Sequence, residues 1–504
     1  MIVKSQLKAG IILTYLSLFL GNVVGLLYTP FLIRMLGKSQ YGLYGLANSI
    51  VGYLAVLDFG FGSATVRYTS KYNAENRQDL IERMHGMFFL FYCAIGLFVF
   101  ICGIILSSNA DKFFSTGLTA DEIETVKVLI FLSSLNLAVS FPFGIFASII
   151  TAYEHFVFIK IIGLIRLLIN PLVFIPLLLL GFKSIGLIIA ASVLNLLFLL
   201  FNCWYCISHL HIKFLFSSFD YNLLKEVIFY SFWIFIGTIV NQLWWNSGQV
   251  LLGIFATSAA IAYYTVIMLF KSYFEAFAGG VASVFLPRIT TLVSKGAGSK
   301  ELSEQFIKVG RIQYMITSLM LTGFILFGKD FIRIWAGRDY LSVYYPTLAI
   351  LFPLALIDAQ TLGITILQAK NKHAFRSIVY FFVAIFSIAV SIPFITMYNI
   401  YACAFSTSIA LILGNLFVMN IFYAKKIGLD IKRFWIEIAK ISIVVLLMLG
   451  LAFVVLNFIN MSRLIILLIC ILVYLILYFL GLYFFCFNYY ERQLVRKIKH
   501  RLGI

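Results

Sequence analysis

Apolar stretches long enough to cross a bilayer alternate with short polar segments from one end of the chain to the other. A helix needs roughly 20 mostly apolar residues to cross a hydrocarbon core. About fourteen such stretches fit, at about 9–35, 42–67, 86–108, 125–151, 160–181, 184–207, 226–252, 259–288, 310–334, 345–368, 375–397, 400–424, 437–457 and 464–487. No segment between them is long enough for a folded soluble domain. Only helices and closed barrels satisfy every backbone polar group in lipid. The roughly ten-residue alternating segments of barrel strands are not seen. The pattern therefore predicts an all-α polytopic membrane protein. The stretch from Ala9 to Met35 is too long for the apolar part of a signal peptide and reads as a retained first helix.

Composition agrees with that pattern: 62% of the 504 residues are hydrophobic and 12% charged. The net charge of +18 would suit nucleic acid if it were clustered. Its placement points elsewhere. With the N-terminus assigned to the cytoplasm, about 27 Lys and Arg fall on that side, among them Lys295, Lys308, Arg311, Lys372, Arg376, Lys425 and Lys426, and about nine on the other. The charge is thus a positive-inside topology signal with some attraction to anionic headgroups. Both termini come out cytoplasmic, which requires an even number of spans. The longest outer loop, about 109–124, is too short for a catalytic domain. The inner loops at about 68–85 and 289–309 are expected to be solvated connectors or short amphipathic surface helices.

An internal repeat is suggested at an offset of 220 residues. Tyr41-Gly42-Leu43-Tyr44 falls on Ile261-Ala262-Tyr263-Tyr264, Tyr53 on Tyr273 and Gly60 on Gly280. A six-helix offset preserves orientation, which is a common transporter plan. The expected organisation is two pseudo-symmetric six-helix lobes, 1–215 and 216–430, followed by an extra helix pair and basic tail, 431–504.

The run Phe31-Leu32-Ile33-Arg34-Met35-Leu36-Gly37 with Tyr41-Gly42-Leu43-Tyr44 resembles the first helix hairpin of the polysaccharide repeat-unit flippases, the O-antigen and capsule type. Leu57-Asp58-Phe59-Gly60-Phe61-Gly62 with Arg67-Tyr68 is similar to the end of their second helix. Phe285-Leu286-Pro287-Arg288 and the stretch from Leu326-Phe327-Gly328 to Ile334-Trp335-Ala336-Gly337 are further echoes. The superfamily also holds peptidoglycan lipid flippases and multidrug exporters. The resemblance implies two lobes around a central cavity. It also implies movement of an undecaprenyl-pyrophosphate-linked oligosaccharide from the cytoplasmic to the outer leaflet of a bacterial inner membrane, and suggests polysaccharide polymerase machinery as a partner.

Ionisable residues within spans cost about 2.5–3.5 kcal/mol each on insertion scales, so they mark a cavity or a partner. Lys271 and Glu275 are one helical turn apart on one face. Lys271 suits an anionic headgroup with Glu275 tuning it; alternatively the two only pair with each other. Asp58, Glu275 and Asp358 are candidate carriers of a coupling H⁺ or Na⁺. For Asp58 and Asp358 a salt bridge to Lys271 or Arg166, or an interhelical hydrogen bond, is the alternative. Arg166 suits a phosphate bidentately or snorkels to the headgroups. Arg34 reads as a binding residue or as an interfacial anchor. Asn241, Gln242 and Trp245, with Trp244, Asn246 and Gln249, form a polar-aromatic patch suited to sugar rings, or to helix packing.

Nothing resembles an enzyme site. There is no P-loop, no metal-ligand cluster and no call for a cofactor, and all six histidines are placed in cytoplasmic loops or helix ends. A membrane glycan polymerase is disfavoured because it needs a large outer loop. The competing transport reading is a cation-coupled drug or metabolite antiporter on the same architecture.

Overall fold

The computed structural model describes residues 2–216, 221–370, 372, 374–459 and 463–501. These fold as helices, with no strand among the described residues. Twelve helices among them are long and apolar enough to cross a membrane. The first, Ile12–Ala74, runs 63 residues and takes in two of the expected spans. Helix Ser258–Ser294 covers the span expected at about 259–288. Each of the fourteen apolar stretches therefore lies on helix. The side chains of Leu286, Pro287 and Arg288 lie outside the described residues.

Contacts divide the chain into two compact units, Met1–Thr265 with Ile392–Ile400, and Val266–Ser391 with Tyr401–Ile504. The first opens with α1 (Ile2–Ala55), kinked at Gly37, whose φ of 72° and ψ of 172° leave the helical region. A short turn, Val56–Asp58, leads to α2 (Phe61–Ala74). Then come α3 (Gln78–Ser108), α4 (Ala110–Phe114), α5 (Ala120–Ala152), α6 (Phe156–Leu179), α7 (Ser184–Ser208) and α8 (Tyr221–Phe255). The first turns of α9 (Ser258–Ser294) also belong to this unit. Phe61, Phe88, Tyr92, Phe141, Phe146 and Val227 share its core.

In lipid, apolar side chains gain little by leaving the solvent, so helix pairing depends on close approach and polar stitches. Both operate between α3 and α5. A Cβ at Gly96 would fall 2.4 Å from the Ala138 carbonyl oxygen, and one at Gly103 would fall 2.2 Å from the Ser134 Cβ. Further along, Asn195 donates from Nδ2 to Asn136 Oδ1 at 2.9 Å and to Ser140 Oγ at 2.8 Å, tying α7 to α5. Helix α5 starts on a capping box: Thr119 accepts from the Glu122 amide while Glu122 reaches back to the Thr119 N–H. The other Glu122 oxygen accepts from Ser39 at 2.6 Å and from Ser258 at 2.5 Å, so one carboxylate joins α1, α5 and α9.

The second unit contains the rest of α9, then α10 (Ser299–Trp335), α11 (Tyr344–Asp358), α12 (Thr361–Ala369), α13 (Ala374–Tyr398) and α14 (Ile400–Leu411). The last continues as a π-helical stretch, Ile412–Met419, a turn α15 (Asn420–Phe422) and a second π stretch, Tyr423–Ile427. Then follow α16 (Ile431–Leu456), α17 (Leu464–Phe485) and α18 (Tyr489–Arg501). Tyrosines stitch the late helices onto α10: Tyr474 to Thr322 at 2.7 Å, Tyr478 to the Met315 carbonyl at 2.8 Å, and Tyr314 to Ser442 at 2.7 Å.

The structure corrects two expectations. The inner loops expected at about 68–85 and 289–309 are helical hairpins: α2 runs to Ala74 and α3 starts at Gln78, while α9 runs to Ser294 and α10 starts at Ser299. Hydropathy marks only the lipid-facing part of a helix, whereas Lys, Arg, Glu and Gln are good helix formers and carry it on. His85 is not at an exposed end. It is buried inside α3, bonded through Nε2 to Thr69 Oγ1 at 2.9 Å. Arg311, counted with the charges of the cytoplasmic side, is an interior group. It lies buried within α10, with Nε and Nη2 on Glu491 at 2.8 and 3.0 Å, Nη1 on Glu437 at 2.6 Å, and Nη2 on the Cys486 carbonyl at 2.8 Å. Both carboxylates come from far along the chain, where no local pattern announces them.

Candidate functional site

Each unit carries one interruption in otherwise continuous helix, with an aspartate at each. In the first unit the span expected at about 42–67 breaks at Val56–Gly60. Phe59 and Gly60 both adopt left-handed backbone, with φ of 51° and 73°. Gly60 suits that conformation, and a Cβ there would come 2.7 Å from Ile234 Cγ2. Asp58 sits on the break. Its Oδ1 accepts from the Tyr92 hydroxyl at 3.0 Å, and its carboxylate also takes the backbone N–H groups of Gly60 and Gly62. It caps the start of α2 in the manner of an N-cap residue. The partner is an interhelical tyrosine rather than a cation.

In the second unit the span expected at about 345–368 breaks after Asp358, where Ala359 and Gln360 separate α11 from α12. Asp358 therefore ends a helix rather than standing in the middle of one. Its Oδ2 is buried and has no hydrogen-bond partner among the described residues. Its charge acts on Lys271 and on Glu275. Those two lie on α9 as the spacing predicts, with Lys271 Nζ 2.7 Å from Glu275 Oε2. Lys271 is 8% exposed, while the Glu275 side chain is 37% exposed. Behind them Phe270 packs edge-on against Phe324 and tilts against Trp335, which fixes this face of α9.

Within the second unit, Lys271 thus has Glu275 in direct contact and Asp358 acting on it electrostatically. Such a set binds an anion only if a carboxylate is neutralised or moves away, and binds a cation or proton without rearrangement.

The remaining sequence candidates lie in the first unit. Arg166 is exposed on α6, with its guanidinium 6.0 Å from the centre of the Phe198 ring. It has no ion pair among the described residues. Arg34 is exposed on α1, three residues before the Gly37 kink. Asn241 is exposed on α8, whereas Gln242 accepts from Asn246 one turn on, and that pair faces Gly52 of α1 at 3.4 Å from its would-be Cβ. Gln249 accepts from Ser49 and donates to Thr265 at 3.1 Å, so it joins α1, α8 and α9. Trp245 is half-buried beside Trp244, with ring centres 6.1 Å apart. The polar patch is therefore partly spent on helix pairing, and Asn241 stays exposed.

Two features of the site escaped the sequence pattern. Tyr92 looked like one aromatic among many. The break beside each aspartate left a mark only at the first, in Gly60 and Gly62, whereas the second has no glycine or proline at Asp358-Ala359-Gln360.

Residues 7–293 match a family described as "Polysaccharide biosynthesis protein". A sequence comparison with curated proteins gave no match. Among solved structures, the chain is similar to the lipid II flippase MurJ in an inward closed conformation. The TM-score is 0.75 at 19% identity, covering 96% of this chain and 100% of that one. It is also similar to an inward-facing multidrug resistance MATE family transporter of the MOP superfamily, with a TM-score of 0.66 at 14% identity, covering 81% and 96%. A third is a MOP superfamily transporter from Pyrococcus furiosus, with a TM-score of 0.56 at 14% identity, covering 83% and 96%.

Proposed function

The chain belongs to the polysaccharide biosynthesis protein family, and from that premise we propose that it is a flippase for an undecaprenyl-pyrophosphate-linked oligosaccharide. It carries the repeat unit from the cytoplasmic to the outer leaflet of a bacterial inner membrane, for surface polysaccharide assembly such as O-antigen or capsule. The shared fold with MurJ and MATE transporters supports a multi-pass membrane carrier. The lobes 1–215 and 216–430 alternate access, and 431–504 is the extra helix pair.

One observation carries this reading: a lysine held at mid-span by a carboxylate that is itself over a third exposed. A diphosphate entering the site replaces Glu275 as the partner of Lys271. Charge-assisted hydrogen bonds to phosphate are about twice as strong as neutral ones, and the exchange is nearly even because one anion replaces another. A near-even exchange lets the headgroup bind and leave again. Within the first unit, Arg166 and Arg34 are the cations suited to phosphate, and Asn241, Gln242 and Trp245 the amides and aromatic ring suited to sugars.

The second reading, a cation-coupled antiporter of the same fold, rests on the buried Asp358 Oδ2. Asp358, acting electrostatically on the Lys271–Glu275 pair, adds a carboxylate in excess of the ammonium, which a proton or Na⁺ offsets. The two readings combine if the coupling ion drives the flippase.

The test is a leaflet-access assay with purified protein in liposomes carrying a fluorescent lipid-linked glycan. Protein-dependent access of the glycan to an outside enzyme is expected, and no acceleration over protein-free vesicles would overturn the proposal.

A further inference from the structure

Arg376 stands in the first turn of α13, half-buried, and its Nε is buried without a hydrogen-bond partner. Among the described residues it makes no ion pair. Its described contact is with an aromatic face: the guanidinium carbon lies 4.4 Å from the centre of the Tyr380 ring. Native structures rarely leave a buried donor unmatched, and an orphan on a charged group points to a missing ion or ligand.

The surroundings are basic and shaped. Phe375 stacks flat on Phe422 with ring centres 4.1 Å apart, which presses the start of α13 against the π-helical turn Tyr423–Ile427. Lys372 donates to the Lys426 carbonyl at 3.4 Å across the same seam. Lys425 and Lys426 are exposed on that turn. Tyr423, 3% exposed, feels the charge of Arg376. A Cβ at Gly363 would meet the Tyr423 hydroxyl at 2.9 Å, so this wall is closely packed. Tyr380 in turn bonds Asn415 in the first π stretch. Four cations, Lys372, Arg376, Lys425 and Lys426, thus gather at one seam, and no carboxylate pairs with any of them among the described residues. The lysine and arginine asymmetry places this seam at the cytoplasmic ends of the helices. π-helical turns widen a helix and recur at functional sites.

We propose that this seam is a binding site for a lipid-borne phosphate at headgroup level, distinct from Lys271 and Glu275. The Arg376 fork takes the phosphate oxygens, and Lys425 and Lys426 supply the surrounding positive field. Basic pockets between helices at the cytoplasmic face suit such headgroups. The same chemistry has two sources, bulk anionic phospholipid and a diphosphate-linked carrier lipid.

Binding, measured without transport, separates this site from the flippase reading. The purified full chain in neutral detergent is titrated with phosphatidylglycerol, with phosphatidylcholine and with inorganic pyrophosphate, followed by native mass spectrometry. Phosphatidylglycerol should bind the parent about tenfold more tightly than phosphatidylcholine, and Arg376→Gln should lose about that factor. Arg376→Lys should retain part of it, since it keeps charge without the fork. Displacement of phosphatidylglycerol by pyrophosphate assigns the site to the phosphate itself. Arg376-dependent binding of pyrophosphate without any preference for phosphatidylglycerol assigns it to the carrier lipid. Should Arg376→Gln fail to fold, the double variant of the exposed lysines, Lys425→Gln with Lys426→Gln, is expected to show the same loss. If the parent binds neither probe more tightly than the variants do, the proposal is overturned.

Discussion

At the scale of single residues, the Lys271–Glu275 pair at 2.7 Å is where the proposed substrate exchange is tested. If a diphosphate displaces Glu275, the carboxylate is a competitor and the ammonium is the receptor. Lys271→Ala should then reduce transport by at least about tenfold while the protein still inserts, because a charge-assisted contact of about 1.5–3 kcal/mol is lost. Glu275→Gln should instead tighten binding of the lipid-linked diphosphate and slow its release. Headgroup affinity measured on both variants checks this, and equal affinities would reduce the pair to a helix staple. Its i,i+4 spacing was legible along the chain. Asp358 as the third member was not, because it arrives from 83 residues beyond Glu275 through tertiary packing alone. Asp58 offers a different separation. Asp58→Ala removes a cap and should cost about 0.5–2 kcal/mol of stability. Asp58→Asn keeps most of the cap and should melt close to the parent. If the Asn variant melts normally yet no longer responds to an imposed pH or Na⁺ gradient in the liposome assay, Asp58 carries an ion; a normal response leaves it a structural cap.

At the scale of elements, the packing rules of lipid make two contacts decisive. The first is the close approach of α3 and α5 at Gly96 and Gly103. Gly103→Leu has no room beside Ser134, whose Cβ stands 2.2 Å from the new Cβ. Overpacking of this kind costs typically about 1–3 kcal/mol, and a lowered melting temperature in detergent is expected, whereas Gly450→Leu in open space on α16 should be neutral. The second is the buried fork of Arg311 on Glu491. Asn488 and Glu491 also cap the start of α18 reciprocally, at 2.8 and 2.9 Å, so the same carboxylate anchors α18 to α10. Arg311→Ala strands Glu491 with 4% exposure and should destabilise the second unit by about 3–5 kcal/mol. Protease sensitivity near Asn488 should rise in parallel. Hydropathy periodicity located the helices that carry these contacts but not the contacts, since a glycine that permits close approach looks the same along the chain as one that does not.

At the scale of the whole molecule, the distribution of lysine and arginine predicts both termini in the cytoplasm. Single cysteines introduced near Asn109 and Arg338 should react with an impermeant maleimide in intact cells, and one at Lys295 should not. The background would be a variant lacking the seven native cysteines, all of which are free thiols. Labelling at Lys295 from outside would invert the topology and with it the direction of the proposed transport.

The number of apolar helices, the membrane setting and the family resemblance followed from the chain alone, because a 30 Å slab of hydrocarbon acts on every residue in the same way and leaves a periodic mark of about 20 residues. Where the helices break, which aspartate meets which partner, and that Arg311 and His85 are interior groups were decided by the tertiary structure. Those outcomes depend on partners 16 to 180 residues away. A single sequence writes down the donors and acceptors one after another, and packing alone chooses among them.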